Sequence, residues 1–110
     1  MEKIMKVLKQ EQGNELHINV SGAMDAKGCK DVKPMLEDYI EKNQSTYVVL
    51  NIFGVDFLDS SGIGAIVFMY KRLRTNSKEF KIVGVQGQPR EILTMLRVDK
   101  AIPMEFGQSA

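Results

Sequence analysis

The sequence pattern changes from that of a strand to that of a helix, with no loop between them, within residues 55–74, VDFLDSSGIGAIVFMYKRLR. An apolar run ends at Asp59-Ser60-Ser61-Gly62, and apolar residues then recur at helical spacing as far as Arg74. Carboxylates and hydroxyls are favoured just before a helix, because they accept hydrogen bonds from its unpaired first amides. The junction therefore predicts a strand that leads directly into a helix, with Asp59 and Ser60 as caps.

The rest of the chain alternates between strand and helix patterns. Strands are predicted at 3–10, 14–21, 46–53, 79–85 and 102–106, and helices over 26–42, over 60–74 and from Gln88-Pro89 onward. The order β-β-α-β-α-β-α-β predicts an α/β fold, with a mixed β-sheet of four to five strands and three or more helices. A chain of 110 residues can bury one core, so we expect a single domain over 1–110.

Several of these elements carry more detailed expectations. Pro34 lies inside the helix pattern at 26–42, where a proline costs about 3 kcal/mol, so either Asp31 caps a late start or the helix kinks. The run TYVVLNIF at 46–53 is typical of a central strand covered on both faces. The residues expected to face the core are Ile63, Ile66, Val67, Tyr70 and Leu73 in the second helix and Ile92, Leu93 and Leu96 in the third.

Composition and charge argue against several classes of function. Fifteen Lys plus Arg against 14 Asp plus Glu leave a net charge of +1, so no overall field would attract nucleic acid or an anionic membrane. No apolar stretch reaches the roughly 20 residues of a membrane span, and we expect a cytoplasmic protein without membrane insertion. One cysteine, Cys29, and one histidine, His17, cannot form a disulfide or a structural zinc site. We therefore expect no metal and no cofactor.

Phosphorylation and catalysis are two further uses of a serine at this junction. A helix N-terminus tolerates a phosphate, yet that group adds about 1.5 to 2 negative charges beside Asp25, Asp56 and Asp59, and would repel a partner fitted to the neutral surface. Catalysis would need a base within reach of Ser60, and His17 lies in an early strand. The GIGAIV stretch lacks the third glycine of a dinucleotide-binding loop. We expect no catalytic residue.

The second helix also suggests a contact surface. Glycines at 62 and 64 each cost a helix roughly 1 kcal/mol against alanine, so we expect something to lie close to the backbone of its first turn. An exposed pair of Phe68 and Met69 would form a docking patch, unless neighbouring elements bury both residues. The residues expected on the open face of the helix are Ala65, Phe68, Met69 and Arg72.

Three short motifs appear within this order of elements. They are GAMD at 22–25 after the second strand, VVLNI at 48–52 in the third strand, and FLDSSGIG at 57–64 at the start of the second helix. With these motifs the chain resembles a STAS domain of the bacterial anti-sigma factor antagonist class, the SpoIIAA and RsbV type, from about Lys3 to Phe106. Ala23 departs from the acidic residue of the family's turn, which implies that one usual partner contact is absent or changed.

The resemblance implies a switch operated by serine phosphorylation. It places the phosphorylated residue at Ser60, the first serine after the motif aspartate. The partners that it implies are an anti-sigma factor that doubles as a serine kinase of the histidine-kinase-like ATPase type, and a dedicated serine phosphatase. The residues expected at the partner surface, from the resemblance and from the second helix, are Asp25, Asp59, Ser61, Gly62, Phe68 and Met69.

The resulting hypothesis is a non-enzymatic module that binds the kinase when Ser60 is free and releases it when Ser60 is phosphorylated. One alternative is a non-switching STAS subunit of a larger assembly, such as a lipid-transport complex, in which Ser60 is only a cap. Another is a partner-switch regulator whose output is biofilm formation or secretion rather than a sigma factor. A serine-dependent or nucleotide-binding enzyme is a third alternative, and it predicts a stoichiometric label on Ser60 or saturable nucleotide binding.

Overall fold

The computed structural model describes residues 4–107 and confirms the predicted α/β class and order of elements. The strands are β1 (Lys6–Gln12), β2 (Glu15–Met24), β3 (Tyr47–Leu58), β4 (Glu79–Val85) and β5 (Met104–Phe106). The helices are α1 (Ala26–Glu41), α2 (Ser60–Thr75) and α3 (Gly87–Met95), and a 3₁₀ turn follows at Val98–Lys100. Lys3, the predicted start of the first strand, lies outside the described residues. None of the helices in the described part of the chain has the length and apolarity that a membrane crossing requires.

The five strands form one mixed sheet in the order β1-β2-β3-β4-β5. β1 and β2 make an antiparallel hairpin that turns at Gly13-Asn14, where Gly13 adopts a φ of 58°. β2 to β5 are parallel to one another. Parallel neighbours that follow in chain order are joined by right-handed crossovers, so the connecting helices are placed on one face of the sheet.

Ring contacts confirm that α1, α2 and α3 pack on the same face. In α1, the Tyr39 ring centroid lies 5.0 Å from Lys9 Nζ of β1. In α2, the ring centroid of Tyr70 lies 6.4 Å from that of Phe80 of β4. In α3, the guanidinium carbon of Arg90 lies 4.8 Å from the ring centroid of Phe106 of β5. The fully buried strand residues that point toward this layer include Leu16, Ile18, Leu50, Ile52 and Ile82. The main core therefore lies between the sheet and a single layer of helices.

The opposite face of β3 is only partly covered. Leu50 and Ile52 point toward the helices and are fully buried, and Val49 on the other face is buried as well. Tyr47 shares that other face with Val49 but is 50% exposed. Phe53, beyond a shift in the register between β2 and β3, is 39% exposed. The expectation of a strand covered on both faces is therefore wrong at these two positions. At Tyr47 the reason is that the connecting helices all lie on the other side of the sheet.

Helix α1 is continuous across Pro34 and is capped by Asp25. The Asp25 Oδ1 atom accepts a hydrogen bond from the Gly28 N–H group at 2.8 Å, so the expectation that Asp31 caps a late start is wrong. Pro34 removes the hydrogen bond to the carbonyl four residues earlier. This part of the helix is exposed, so water can satisfy that carbonyl.

Helix α2 buries a stripe that is rotated from the predicted one. Ile66 and Leu73 are buried as expected, and Ile63 and Tyr70 are half-buried against the core. Met69 is fully buried, so its expected place on the open face of the helix is wrong. Met69 belongs to the buried stripe Gly62, Ile66, Met69 and Leu73, whose helical spacing turns all four residues toward the core.

Helix α3 buries less of its length than the sequence predicts. Leu93 is fully buried and Ile92 is half-buried, both as expected. Leu96 is 55% exposed, so its predicted place in the core is wrong. The helix ends at Met95 and the chain turns at Arg97, which has a φ of 60°, and this change of direction leaves Leu96 at the surface.

Candidate functional site

Among residues 4–107, Asp59 is the side chain that caps the start of α2, at the junction with β3. Its Oδ1 atom accepts hydrogen bonds from the N–H groups of Ser61 at 2.8 Å and Gly62 at 3.2 Å. The Asp59 N–H group donates to the Met24 carbonyl oxygen at 3.4 Å, which ties the junction to β2. Ser60 is the first residue of α2 rather than a cap, and it is exposed. Within residues 4–107 its hydroxyl makes no side-chain hydrogen bond.

The N-termini of α1 and α2 lie side by side, because the strands that precede them are paired. Met24 and Leu58 are neighbours in the register of β2 and β3, and the caps Asp25 and Asp59 follow them directly. The thiol of Cys29 lies near both caps. Its burial and, to a smaller extent, the negative charges of Asp59 and then Asp25 raise its pKa to about 11. The site thus combines two positive helix ends with two capping carboxylates.

Gly62 allows α2 to approach the two preceding strands closely. A Cβ atom on Gly62 would lie 2.6 Å from the Met24 carbonyl oxygen and would overlap Leu58 Cδ1. The group that lies close to the backbone of the first turn, as expected, is therefore formed by Met24 and Leu58 of the protein's own core. At Gly64 a Cβ atom would have no neighbour within 4 Å, so the same expectation is wrong there.

A groove of about 430 Å³ runs between α1 and α2 and includes Ser61. Phe68, 39% exposed, borders the groove, and Met69 is fully buried at its base. Gly64 also lines it and contributes no side chain that could fill the space. The apolar lining residues are Ala26, Cys29, Leu36, Ala65, Phe68 and Met69, and the charged ones are Lys30, Lys33 and Glu37.

The structure places most of the predicted site residues on one surface. Phe68 lies eight residues beyond Ser60 on α2, which corresponds to about 12 Å along the helix. Gly62 and Met69 are buried, so neither is available to a partner, contrary to the expectation. The predicted residues brought together at the two helix ends are Asp25, Asp59, Ser60 and Ser61.

His17 lies far from Ser60. It is near the start of β2, seven residues before Met24, which corresponds to roughly 20 Å at about 3.3 Å per strand residue. Its Nε2 atom is instead 2.9 Å from Glu15 Oε1. The arrangement therefore gives Ser60 no histidine base.

Gln88 also belongs to the junction, and no sequence pattern predicts it. The Leu58 N–H group donates to Gln88 Oε1, and Gln88 Nε2 donates to the Leu58 carbonyl oxygen, both at 2.8 Å. Gln88 comes from the first turn of α3, 30 residues after Leu58. A glutamine before a proline at a helix start shows no distinctive pattern, so no sequence signal could have found this contact.

The family of the chain follows from its match to known proteins. The family model described as the STAS domain matches residues 6–107. This chain belongs to the STAS domain family. This STAS domain is 27% identical over 89 residues to the anti-sigma F factor antagonist of Paenibacillus polymyxa. The aligned region covers 81% of this chain and 76% of that protein.

Solved structures of two such proteins share the fold of this STAS domain. The anti-sigma factor antagonist from Mycobacterium paratuberculosis has a TM-score of 0.82 at 19% identity, over 92% of this chain and 85% of that one. The Bacillus cell fate determinant SpoIIAA in its phosphorylated form has a TM-score of 0.72 at 14% identity, over 94% and 93%. At these identities the structural likeness establishes the fold.

Proposed function

We propose that this STAS domain is an anti-sigma factor antagonist that phosphorylation switches and that performs no catalysis itself. With Ser60 unphosphorylated it binds an anti-sigma factor that is also a serine kinase, and with Ser60 phosphorylated it releases that partner. The observation that carries the proposal is the exposed Ser60 at the start of α2, where the cap is supplied by Asp59 and not by the Ser60 hydroxyl. Because the exposed hydroxyl does not supply the cap, its phosphorylation would leave the cap of α2 in place.

A phosphate on Ser60 is compatible with the fold. The start of α2 offers amides without intrahelical partners and a partial positive charge, and the start of α1 lies beside it. Both features favour an anion at this position. Phosphorylation is therefore expected to leave the STAS domain folded.

The same phosphate would change how the surface meets a partner. It adds about 1.5 to 2 negative charges next to the carboxylates of Asp25 and Asp59. A partner surface that fits the unphosphorylated site would then face like-charge repulsion and the desolvation of a dianion. Release on phosphorylation follows from this change in local charge without a change of fold.

The groove between α1 and α2 would supply the apolar part of the same interface. Ser61 lines the groove and is the neighbour of Ser60, so a partner that reaches one can reach the other. Phe68 is an exposed aromatic residue at the groove, and aromatic residues that fill pockets commonly dominate binding energy. An apolar side chain of the anti-sigma factor is the proposed occupant.

Two relatives support this assignment. The Paenibacillus polymyxa protein is named an anti-sigma F factor antagonist, and SpoIIAA has been solved in a phosphorylated form. By extension, the partner proposed here is a serine kinase of the histidine-kinase-like ATPase type, and a serine phosphatase resets the switch.

The first test is phosphopeptide mass spectrometry across residues 55–71 of the protein isolated from its own cells. We expect phosphate on Ser60. Its absence under several growth conditions would contradict the switch and favour a STAS subunit that does not switch.

The second test is titration calorimetry with the kinase that co-purifies with the unphosphorylated STAS domain from its own cells. Ser60→Ala should keep binding and Ser60→Asp should abolish it, with circular dichroism showing that both variants fold. Ser77→Asp, an exposed substitution beyond the far end of α2, is the matched control and should bind like the wild type. Equal binding by the two Ser60 variants would disprove the proposal.

A further inference from the structure

The last part of β3 has an edge that β4 does not pair. The register between β3 and β4 runs from Tyr47 to Asn51, whereas β3 itself continues to Leu58. The chain turns away after β4 has reached Gly84, which has a φ of 71°, and it then enters α3. The N–H and C=O groups along the remaining edge must find other partners.

Gln88 takes the place of a strand residue at the end of this edge. Its side-chain amide accepts from the Leu58 N–H group and donates to the Leu58 carbonyl oxygen, at 2.8 Å in both cases. A primary amide has one carbonyl acceptor and two N–H donors, so it can mimic the pairing of a backbone peptide. Gln86 makes a single, longer contact, from Nε2 to the Phe53 carbonyl oxygen at 3.4 Å.

The hydrogen bond to the Leu58 carbonyl acts on the peptide group just before Asp59, one residue ahead of Ser60. The peptide that joins Leu58 to Asp59 is a rigid plane. Its carbonyl oxygen accepts from Gln88, and its N–H group donates to the Met24 carbonyl oxygen at 3.4 Å. Elements α3 and β2 thus hold the two sides of one peptide plane.

We propose that Gln88 is a positioning residue for the phosphorylation switch. Through the Leu58 carbonyl it sets the direction in which Asp59 and Ser60 leave the strand, and so it orients the start of α2. The role in phosphorylation rests on the proposed function of Ser60. Helix α3 thereby becomes part of the switch, although its residues lie about 30 positions away in the chain.

Amide hydrogen exchange of the isolated protein, followed by NMR, tests the positioning role. Gln88→Met keeps the size of the side chain and removes both hydrogen bonds to Leu58. We expect exchange to accelerate about fivefold or more at Leu58 and also at Ser61 and Gly62, since one hydrogen bond contributes about a factor of five. Faster exchange at Leu58 alone would make Gln88 a local structural contact and overturn the proposal.

Two further variants make the test specific. Gln86→Met removes a glutamine contact of the same helix start but should leave exchange at Ser61 and Gly62 unchanged. Gln88→Glu keeps an acceptor for the Leu58 N–H group and loses the donor, so exchange should accelerate at Ser61 and Gly62 while Leu58 stays protected. Wild-type exchange at Ser61 and Gly62 in this variant would also refute the positioning role.

The link to the switch needs a separate readout. With the co-purifying kinase, the initial rate of Ser60 phosphorylation should fall about fivefold or more in Gln88→Met and stay unchanged in Gln86→Met. An unchanged rate in Gln88→Met would overturn the link to phosphorylation. If wild-type Ser60 accepts no phosphate, the proposed function fails, whereas the exchange measurement still decides the positioning role.

Discussion

Replacing Gly62 by alanine tests the close approach between α2 and the strands before it. Alanine gains about 1 kcal/mol of helix propensity over glycine. Against this, the new Cβ atom would lie 2.6 Å from the Met24 carbonyl oxygen and 2.8 Å from Met24 Cβ, and would overlap Leu58 Cδ1. Overpacking costs about 1 to 3 kcal/mol, and a contact with backbone favours the upper end. We therefore expect a net loss of about 2 kcal/mol.

The assay is thermal and urea denaturation followed by circular dichroism. A loss of about 2 kcal/mol corresponds to a decrease of roughly 8 °C in Tm, at about 4 °C per kcal/mol for a domain of this size. Gly64→Ala is the matched control: it lies in the same helix with no atom within 4 Å of the new Cβ, and should not be destabilised. We expect the free energy of unfolding of Gly64→Ala to rise by about 1 kcal/mol. A Gly62→Ala protein as stable as the wild type would refute the packing argument.

The remaining predictions concern the groove between α1 and α2. Because burial, Asp59 and Asp25 raise the pKa of Cys29 from 9.0 to about 11, its thiolate fraction at pH 8 should be lower than in the unfolded chain. Iodoacetamide should therefore alkylate the folded protein about 100-fold more slowly than the urea-unfolded protein, and equal rates would contradict the shift. Phe68→Ala should weaken kinase binding about tenfold in titration calorimetry. Phe53→Ala, equally exposed at 39% but outside the lining of the groove, should have no effect, and matching losses would argue against a groove interface.

Local patterns account for the parts of the site that the sequence predicted. The start of α2 at Ser60 was predicted correctly, because an acid and hydroxyls before a helical run mark a helix start in any context. The choice between Asp59 and Ser60 as the cap was not resolved, since both side chains can accept from first-turn amides. Only the backbone geometry shows that Asp59 is the cap and that Ser60 remains exposed.

Packing between elements explains the predictions that were wrong. Met69 was placed on the open face because apolar residues occupy two neighbouring stripes of α2, and periodicity alone does not choose between them. Leu96 follows the periodicity of α3, yet the helix ends one residue before it. Capping by Asp31 was one of two alternatives, beside a kink, and it rested on the usual cost of a helical proline. That cost is reduced where the freed carbonyl faces water.

The sequence by itself determined the order of elements, the single sheet of mixed α/β type and the position of the junction at Ser60. These features depend on hydrophobic periodicity and helix capping, which act over a few residues. Only the tertiary structure decided that Gly62 lies against Met24, that Met69 is buried in the core and that Gln88 completes the edge of β3. Such contacts depend on which elements pack side by side, and the separation in sequence gives no sign of them.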